Sequence, residues 1–350
     1  MDPRLRGGDE HGEIPMQPKH RSLAVNGLQM HVAEQGTGPL ILLCHGWPEL
    51  WYSWRHQLPV LAQAGFRVVA PDMRGFGATD APADASAYTI LHTVGDMVSL
   101  VAALGESQAI IVGHDWGAPV AWTAAMMRPD VFPAVVAMSV PHRPRSADAP
   151  LKLLRQSGLD NFYWFYFQTP GVAEAEFERD VPTTLRKLLY GISGDVKVDR
   201  ENPMIVAEGT GFLDRMAVPE KLPGWLREQD IERMASEYRR TGFRGGLNLY
   251  RNIDRNWELT AAWHDAKIQQ PALFIAGTRD PVIAGRRGEV AIEQMSRAVP
   301  GVKKVMIDGA GHWIQQERPE RVNAALLEFL ASIGSAIWRS EERRVGKECR

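Results

Sequence analysis

Short apolar runs alternate along the chain with segments of helical apolar spacing. The two segments with the clearest helical spacing are 89–104 and 318–333. The apolar runs are those expected of strands that are buried on both faces: 39–44, 66–70, 109–112, 135–140, 272–276 and 304–307. Strands that alternate with helices are typical of a parallel sheet covered by helices on both faces. The pattern therefore predicts an α/β fold with a mostly parallel central sheet.

A β-hairpin is predicted before the first of these strands. Residues 22–25 and 28–34 have strand character, and Asn26-Gly27 lies between them. Asn-Gly between two strands favours a two-residue type I′ turn.

The region from about 141 to 257 differs from the rest of the chain. Buried-strand runs disappear there, and aromatic and helix-forming segments replace them, most densely over 161–167. We therefore expect a core of two pieces, 21–140 and 258–335, with a helical cap, 141–257, inserted between them.

The two ends of the chain are polar and lack apolar periodicity. Residues 1–20 are expected to be a disordered lead-in, and 336–350 a disordered or non-native tail. Residues 339–350 look like a translated sequencing adapter, which suggests a bacterial or metagenomic gene, although a natural solvated tail is an equal alternative.

Composition excludes several classes of protein. The chain has 350 residues and a formal net charge of −2, with no basic stripe, which argues against a nucleic-acid partner. No apolar run reaches the roughly 20 residues that span a bilayer. The first 20 residues lack the apolar centre of a signal peptide, and Cys44 and Cys349 imply no disulfide framework. We expect a cytoplasmic protein, a monomer or homodimer, with no metal or organic cofactor.

Gly113-His114-Asp115-Trp116-Gly117 is the most informative stretch. It follows an apolar strand and precedes a helical segment, which is the layout of the nucleophile elbow of α/β-hydrolases. The central residue is Asp115, so the candidate nucleophile is a carboxylate, already ionised at neutral pH because its reference pKa is about 3.9. Attack by a carboxylate on saturated carbon gives an ester, which points to strained or activated C–O or C–halogen bonds. The alternative is that Asp115 only caps the following helix.

A base and an acid are needed to hydrolyse such an ester. Asp280 follows the 272–276 strand, and His312 follows the 304–307 strand. Catalytic groups gather at the carboxyl ends of parallel strands. We therefore expect His312 to activate water and Asp280 to orient it, with Asp308 as a weaker candidate for the acid.

The segment His45-Gly46-Trp47-Pro48 follows the 39–44 strand, where α/β-hydrolases build an oxyanion hole. The backbone N–H groups of Trp47 and Trp116 are the predicted donors.

Together these motifs resemble the soluble epoxide hydrolases of the α/β-hydrolase fold. The resemblance covers roughly residues 20–335, and its motifs lie at 45–49, 51–55, 72–77, 113–117, 163–171 and 247–252. It implies that Tyr163 and Tyr250 open the epoxide ring, with Tyr166 as the nearest wrong choice for the first tyrosine. A phenol with a reference pKa near 10 is a suitable donor to an alkoxide, which is far more basic.

The resemblance implies hydrolysis of an epoxide by water to a vicinal diol, through an ester on Asp115. Haloalkane dehalogenase is the closest alternative, because that family shares the Asp elbow, but a halide leaving group would leave the tyrosine pair unexplained. A non-catalytic binding protein on the same fold is the alternative from another class. Apolar residues of the predicted cap suggest a pocket for lipophilic epoxides: Trp164, Phe165, Phe167, Phe212, Met216 and Trp225.

Overall fold

The computed structural model describes residues 17–196, 202 and 204–337. Its central element is an eight-stranded sheet with the strand order β1-β2-β4-β3-β5-β6-β7-β8. The strands are β1 Lys19–Val25, β2 Leu28–Gln35, β3 Leu40–Cys44, β4 Arg67–Pro71, β5 Ile110–His114, β6 Val135–Met138, β7 Ala272–Gly277 and β8 Lys303–Ile307. Only the β1–β2 and β2–β4 pairs are antiparallel, and the other pairs are parallel.

The central strands are buried on both faces, as their apolar runs predict. Every residue of β3, β5, β6 and β7 is buried. Alternate residues enter different clusters, since Leu42 packs into one apolar core and Ile41 and Leu43 into the other. All six predicted strands form, each within two residues at either end. The expected burial of 304–307 on both faces was wrong, because β8 is the edge strand of the sheet and three of its five residues are exposed.

Helices cover both faces of this sheet. They are α1 Leu58–Gln63, α2 Ile90–Ala103, α3 Gly117–Met127, α11 Gly285–Ala298, α12 Ile314–Glu317 and α13 Pro319–Ile337. The first of the predicted helices begins where a side chain can cap it, because the Thr89 hydroxyl accepts from the N–H of His92. Apolar residues of α2 and α3 join one core cluster, and those of α1 and α13 join the other.

The described residues between β6 and β7 form helices and contain no sheet strand. These helices are α4 Pro150–Gln156, α5 Tyr163–Tyr166, α6 Val172–Phe177, α7 Val181–Gly191, α8 Glu228–Thr241, α9 Arg244–Arg251 and α10 Ile253–Leu259. Short 3-10 helices lie at Phe212–Arg215 and Ala261–Trp263, as they do at Trp51–Trp54 and Ala85–Tyr88. Aromatic residues from this region, such as Phe167, Phe177 and Phe243, belong to the same apolar cluster as the side chains on one face of the sheet.

The N-terminal hairpin is present and starts earlier than expected. Asn26 and Gly27 have φ of 46° and 78°, as a type I′ turn requires. Lys19 and His20 pair with Glu34 and Ala33, so they belong to β1 and not to a disordered lead-in. At the other end α13 continues to residue 337, two residues into the expected tail. Residues 1–16 and 338–350 lie outside the described residues. Within the part of the chain that is described, no helix is both long enough and apolar enough to cross a bilayer.

Candidate active site

Asp115 occupies a sharp turn between β5 and α3. Its φ is +50°, in the left-handed region, where a short polar residue is tolerated better than most. A Cβ on Gly113 would lie 1.9 Å from the Gly117 carbonyl oxygen, and one on Gly117 would lie 2.0 Å from that of Cys44. Both glycines are therefore required by the close approach of strand, turn and helix.

The structure brings Asp115, His312 and Asp280 together. His312 Nε2 lies 3.2 Å from Asp115 Oδ2, and its Nδ1 lies 3.1 and 3.0 Å from the two carboxylate oxygens of Asp280. His312 and Asp280 are both buried. Asp308 is exposed and accepts a hydrogen bond from the Thr278 hydroxyl at 3.1 Å, so it does not compete with Asp280 for the imidazole.

The loop after β3 contacts the other oxygen of Asp115. The backbone N–H of Trp47 donates to Asp115 Oδ1 at 2.7 Å. A Cβ on Gly46 would lie 2.2 Å from that oxygen, so only glycine permits this approach. His45 orients the loop, because its Nε2 accepts from the N–H of Met73 at 2.9 Å. The Trp47–Pro48 peptide bond is cis, and the N–H of Trp116 belongs to the peptide next to Asp115, at the start of α3.

These contacts determine the ionisation of Asp115 and His312. Burial opposes ionisation of Asp115, but His312, His114 and the Trp47 N–H outweigh it and lower the pKa of Asp115. Burial likewise opposes protonation of His312, but Asp280 and Asp115 raise its pKa well above the usual value. Both shifts favour an ionised Asp115 beside a protonated His312, with part of the stabilisation of the imidazolium coming from the charge on Asp115.

Tyr163 and Tyr250 come from two different helices, α5 and α9, and meet above Asp115. Their ring centroids are 5.7 Å apart at an interplanar angle of 70°. Burial, with the nearby charge of Asp115, raises the pKa of both phenols above the usual value of 10.0. Both are therefore protonated donors at neutral pH. The Tyr166 hydroxyl instead donates to Glu176 Oε2 at 2.9 Å, away from this pair.

A cavity joins these groups. Its lining consists of Trp47, Pro48, Asp115, Tyr163, Leu188, Ile192, Met204, Phe212, Met216, Tyr250, Val282, His312 and Trp313. Phe212 and Met216 are thus on its wall as predicted, and Leu188, Ile192, Met204 and Val282 are apolar wall residues that the sequence did not single out. In the sequence these four residues look like any apolar residue of an amphipathic helix or a loop, so nothing marks them as part of a cavity.

Four predicted pocket residues are not among the lining residues: Trp164, Phe165, Phe167 and Trp225. The Arg155 guanidinium lies over the ring of Phe165, and the Trp225 indole N–H donates to Asp195 Oδ2 at 2.8 Å. Phe167 is fully buried and lies behind the lining, with ring centroids 5.6 Å from Trp47 and 4.9 Å from Tyr250. Trp164 follows Tyr163 by one residue, and its ring lies edge-on to that of Tyr163, with centroids 6.3 Å apart. Its ring packs against Phe162 at 5.4 Å.

A buried polar network beneath the elbow was also missed by sequence reasoning. His114 Nδ1 lies 2.6 Å from Glu49 Oε2, and His114 Nε2 lies 2.7 Å from the backbone oxygen of His312. Gln315 and Gln316 donate to Glu49 Oε1 at 2.7 and 2.9 Å. The only sign of this network in the sequence was a polar residue, His114, at the end of an apolar strand. Among the residues described by the structure, no group of three or more His, Cys, Asp or Glu side chains is arranged to hold a metal ion.

Comparison with known proteins shows the family of the chain. The family model for the alpha/beta hydrolase fold matches residues 39–319. Epoxide hydrolase A of Mycobacterium tuberculosis (strain ATCC 25618 / H37Rv) is 44% identical over 319 residues, which cover 90% of this chain and 98% of that protein. Epoxide hydrolase 1 of Siraitia grosvenorii is 44% identical over 317 residues, covering 89% of this chain and 98% of that relative.

Solved structures show the same relationship. An epoxide hydrolase from an endophytic Streptomyces has a TM-score of 0.87 and 44% identity, and the match covers 91% of this chain and 97% of that one. Epoxide hydrolase A from Mycobacterium thermoresistibile has a TM-score of 0.85 and 45% identity, with 90% and 98% covered. The chain therefore belongs to the epoxide hydrolases of the α/β-hydrolase fold.

Proposed function

We propose that this epoxide hydrolase converts lipophilic epoxides to vicinal diols through a hydroxyalkyl ester on Asp115. The observation that carries the proposal is that the proposed nucleophile and base and the two tyrosines all line one cavity. Asp115 and His312 line it from the strand ends, and Tyr163 and Tyr250 line it from the helices.

In the first step, a carboxylate oxygen of Asp115 attacks one carbon of the epoxide, and the bond from that carbon to the ring oxygen breaks. The ring oxygen becomes an alkoxide as the bond breaks. Tyr163 and Tyr250 bind this oxygen, and one of them gives it a proton. The products are an ester of Asp115 and one phenolate.

Formation of the ester changes the electrostatics of the site. Asp115 no longer carries the negative charge that helped to raise the pKa of His312. The imidazolium therefore loses its proton more readily and restores the neutral phenol. Formation of the ester therefore favours the neutral, basic form of His312, which is the form that its hydrolysis needs.

In the second step, His312 takes a proton from water, and the hydroxide attacks the carbonyl carbon of the ester. Asp280 steadies the resulting imidazolium. The Trp47 and Trp116 N–H groups are the proposed donors to the carbonyl oxygen, where negative charge develops. Collapse of the tetrahedral intermediate releases the diol and returns Asp115 as a carboxylate.

The proposal assigns different tasks to the two parts of the chain. Residues 21–140 and 258–335 act as the hydrolase core, and 141–257 act as a helical cap that carries the tyrosines and apolar walls. The wall residues Leu188, Phe212 and Met216 support a lipophilic substrate.

A cytoplasmic monomer or homodimer is the proposed physiological form. Cys44 is a buried free thiol, which suits a reducing compartment. Large exposed apolar side chains of the described residues are scattered: Val172, Val218, Val290 and Met306. A bacterial or metagenomic gene source stays a prediction, because the relatives include bacterial and plant proteins.

A paired assay on the purified protein tests the function. One arm measures diol formation from styrene oxide and trans-stilbene oxide, and the other measures bromide release from 1-bromobutane. Diol without bromide, lost in Asp115→Asn, is expected. Bromide without diol would contradict the proposal, since halide departure needs no proton donor and the two tyrosines would then be packing residues.

A further inference from the structure

Glu317, the last residue of α12, is a buried carboxylate that the reaction scheme does not use. It is only 4% exposed. Its Oε2 accepts from the backbone N–H groups of Gly311 at 2.8 Å and Gly194 at 2.9 Å, and its Oε1 accepts from that of Trp313 at 3.0 Å. All three partners are backbone groups, so the contacts constrain the path of the chain.

Two of these donors are the chain neighbours of His312. The N–H of His312 itself donates to the Ile192 carbonyl at 3.1 Å. Three consecutive N–H groups, from Gly311 to Trp313, are therefore fixed by Glu317 or by Ile192. The backbone that carries the catalytic imidazole is held on both sides.

The third donor, Gly194, belongs to the segment that follows α7. A Cβ on Gly194 would lie 2.3 Å from the Gly309 carbonyl oxygen and 2.7 Å from the Gly311 nitrogen. A Cβ on Gly311 would lie 2.1 Å from the Gly194 nitrogen. The two segments thus touch backbone to backbone, and neither glycine has room for a side chain.

This contact connects the base to the substrate cavity and to the acid loop. Ile192, which binds the N–H of His312, is itself on the cavity wall. Arg279, next to Asp280, donates to the Val196 carbonyl at 2.7 Å. One short segment, 192–196, therefore contacts the loops of both His312 and Asp280.

We infer that Glu317 is a positioning residue for ester hydrolysis, which clamps the His312 loop to the cavity-lining segment 192–194. The inference rests on the proposed function, because it assigns His312 to the second covalent step. Ring opening needs Asp115 and the tyrosines, so a displaced His312 slows hydrolysis of the ester and leaves its formation unchanged.

The first test is Glu317→Gln. An amide replaces one acceptor oxygen with an NH₂ group, which then faces a backbone N–H that has lost its partner. Small misplacement of a catalytic group can reduce a rate by ~100-fold. We expect hydrolysis of the ester to slow by about 10- to 100-fold, with an unchanged rate of ester formation.

Rapid quenching with styrene oxide, followed by intact-protein mass spectrometry, separates the two rates. The ester adds the mass of the epoxide to the protein, and it should accumulate in Glu317→Gln but not in the wild type. Glu320→Gln is the matched control, since Glu320 lies three residues away on α13 and is exposed. It should behave as the wild type.

Gly194→Ala is the second variant, and it keeps the carboxylate. Its methyl group pushes the 192–194 segment away from the His312 loop, so the ester should again accumulate. If Glu317→Gln does not fold, Gly194→Ala alone tests whether the contact between the two segments positions His312. Equal slowing of both steps, or no slowing of either in a folded variant, would overturn the inference.

His312→Gln separates this inference from the proposed function. If His312→Gln accumulates the ester and the folded Glu317 and Gly194 variants do not, only the role of Glu317 is wrong. If no ester forms even in His312→Gln, the covalent mechanism is wrong, and the inference falls with it.

Discussion

The two halves of the active site are built by different physical means. Asp115, Asp280 and His312 stand at the ends of parallel strands, and each is held by hydrogen bonds of 3.2 Å or less. Tyr163 and Tyr250 stand on helices, where rings surround them: Tyr250 lies 4.9 Å from Trp116 and 5.8 Å from Trp47 by ring centroid. Hydrogen bonds fix the charged half, and aromatic packing fixes the phenolic half.

The difference matches the chemistry that we propose for each half. Charged groups need fixed polar partners, because an unpaired buried charge is costly. Phenols that act as acids need the opposite environment, since burial keeps them protonated. Substitutions in the two halves should therefore affect different steps.

The largest effect is expected from Asp115→Asn. Asparagine tolerates the φ of +50° nearly as well as aspartate, so the turn is preserved. Removal of the nucleophile should lower kcat/KM by at least ~10⁴-fold and prevent formation of the ester. Diol production and intact-protein mass are the measurements, and an unchanged thermal midpoint is the control. Residual turnover near the wild-type rate would contradict the assignment of the nucleophile.

His312→Gln should affect only the second step. Loss of the general base should lower the hydrolysis rate by ~10²–10⁴-fold, while single-turnover formation of the ester continues. The mass of the ester should therefore persist after substrate is exhausted. Rapid turnover of the ester in this variant would show that another group activates water.

The pH dependence of the two steps should also differ. Asp115 has a lowered pKa, so ester formation should be flat between about pH 5 and 8. His312 must be neutral to accept a proton, so hydrolysis of the ester should rise with pH until it passes the pKa of His312 in the ester. Because the Asp115 charge that raises this pKa is absent from the ester, that midpoint should lie below the pKa of His312 in the free enzyme. Quenched single turnovers across this range measure both profiles, and a hydrolysis rate that falls as pH rises would contradict the role.

Substitutions in the phenolic half, Tyr163 and Tyr250, should act on the first step. Tyr163→Phe and Tyr250→Phe should each slow ester formation by ~10²-fold or more, because each removes a donor to the ring oxygen. Tyr166→Phe is a matched control from the same helix, since its hydroxyl binds Glu176 and not the tyrosine pair. If Tyr163→Phe and Tyr166→Phe slow ester formation equally, Tyr163 acts only by packing and not as a proton donor.

The smallest effects are expected at the cavity wall. Phe212→Ala enlarges the cavity and should change the ratio of kcat/KM for trans-stilbene oxide and styrene oxide by about 10-fold, as one apolar pocket contact commonly does. Trp164→Phe changes a residue that is not part of the lining and should leave this ratio unchanged. Competition assays with mixed epoxides measure it. The reverse result would return Trp164 to the lining.

The charged half of the site, Asp115, Asp280 and His312, was largely predictable from sequence, for a physical reason. Strands buried on both faces appear as continuous apolar runs, and parallel strands bring their carboxyl ends to one edge of the sheet. Asp280 and His312 could therefore be selected by their positions after the 272–276 and 304–307 runs. The assignment of Tyr163 and Tyr250 came from resemblance, because helical spacing does not say which face of a cap helix meets the cavity.

The failures have the same origin. Trp164 and Phe167 belong to a dense aromatic run, and only packing decides that Tyr163 alone of the three reaches the cavity wall. Glu317 was missed because its partners are backbone N–H groups of distant segments, which leave no residue pattern. Lys19 and His20 were assigned to a polar lead-in because an exposed edge strand lacks an apolar run.

The most direct test of the ester on Asp115 is a single turnover in ¹⁸O-labelled water, with enzyme in excess over styrene oxide. Attack of water on the ester carbonyl places the label in the carboxylate of Asp115, and the first diol carries an unlabelled oxygen from that side chain. We predict ¹⁸O in the peptide that contains Asp115 and none in the first diol. Label in the first diol, with Asp115 unlabelled, would show that water attacks the epoxide directly and would contradict the covalent mechanism.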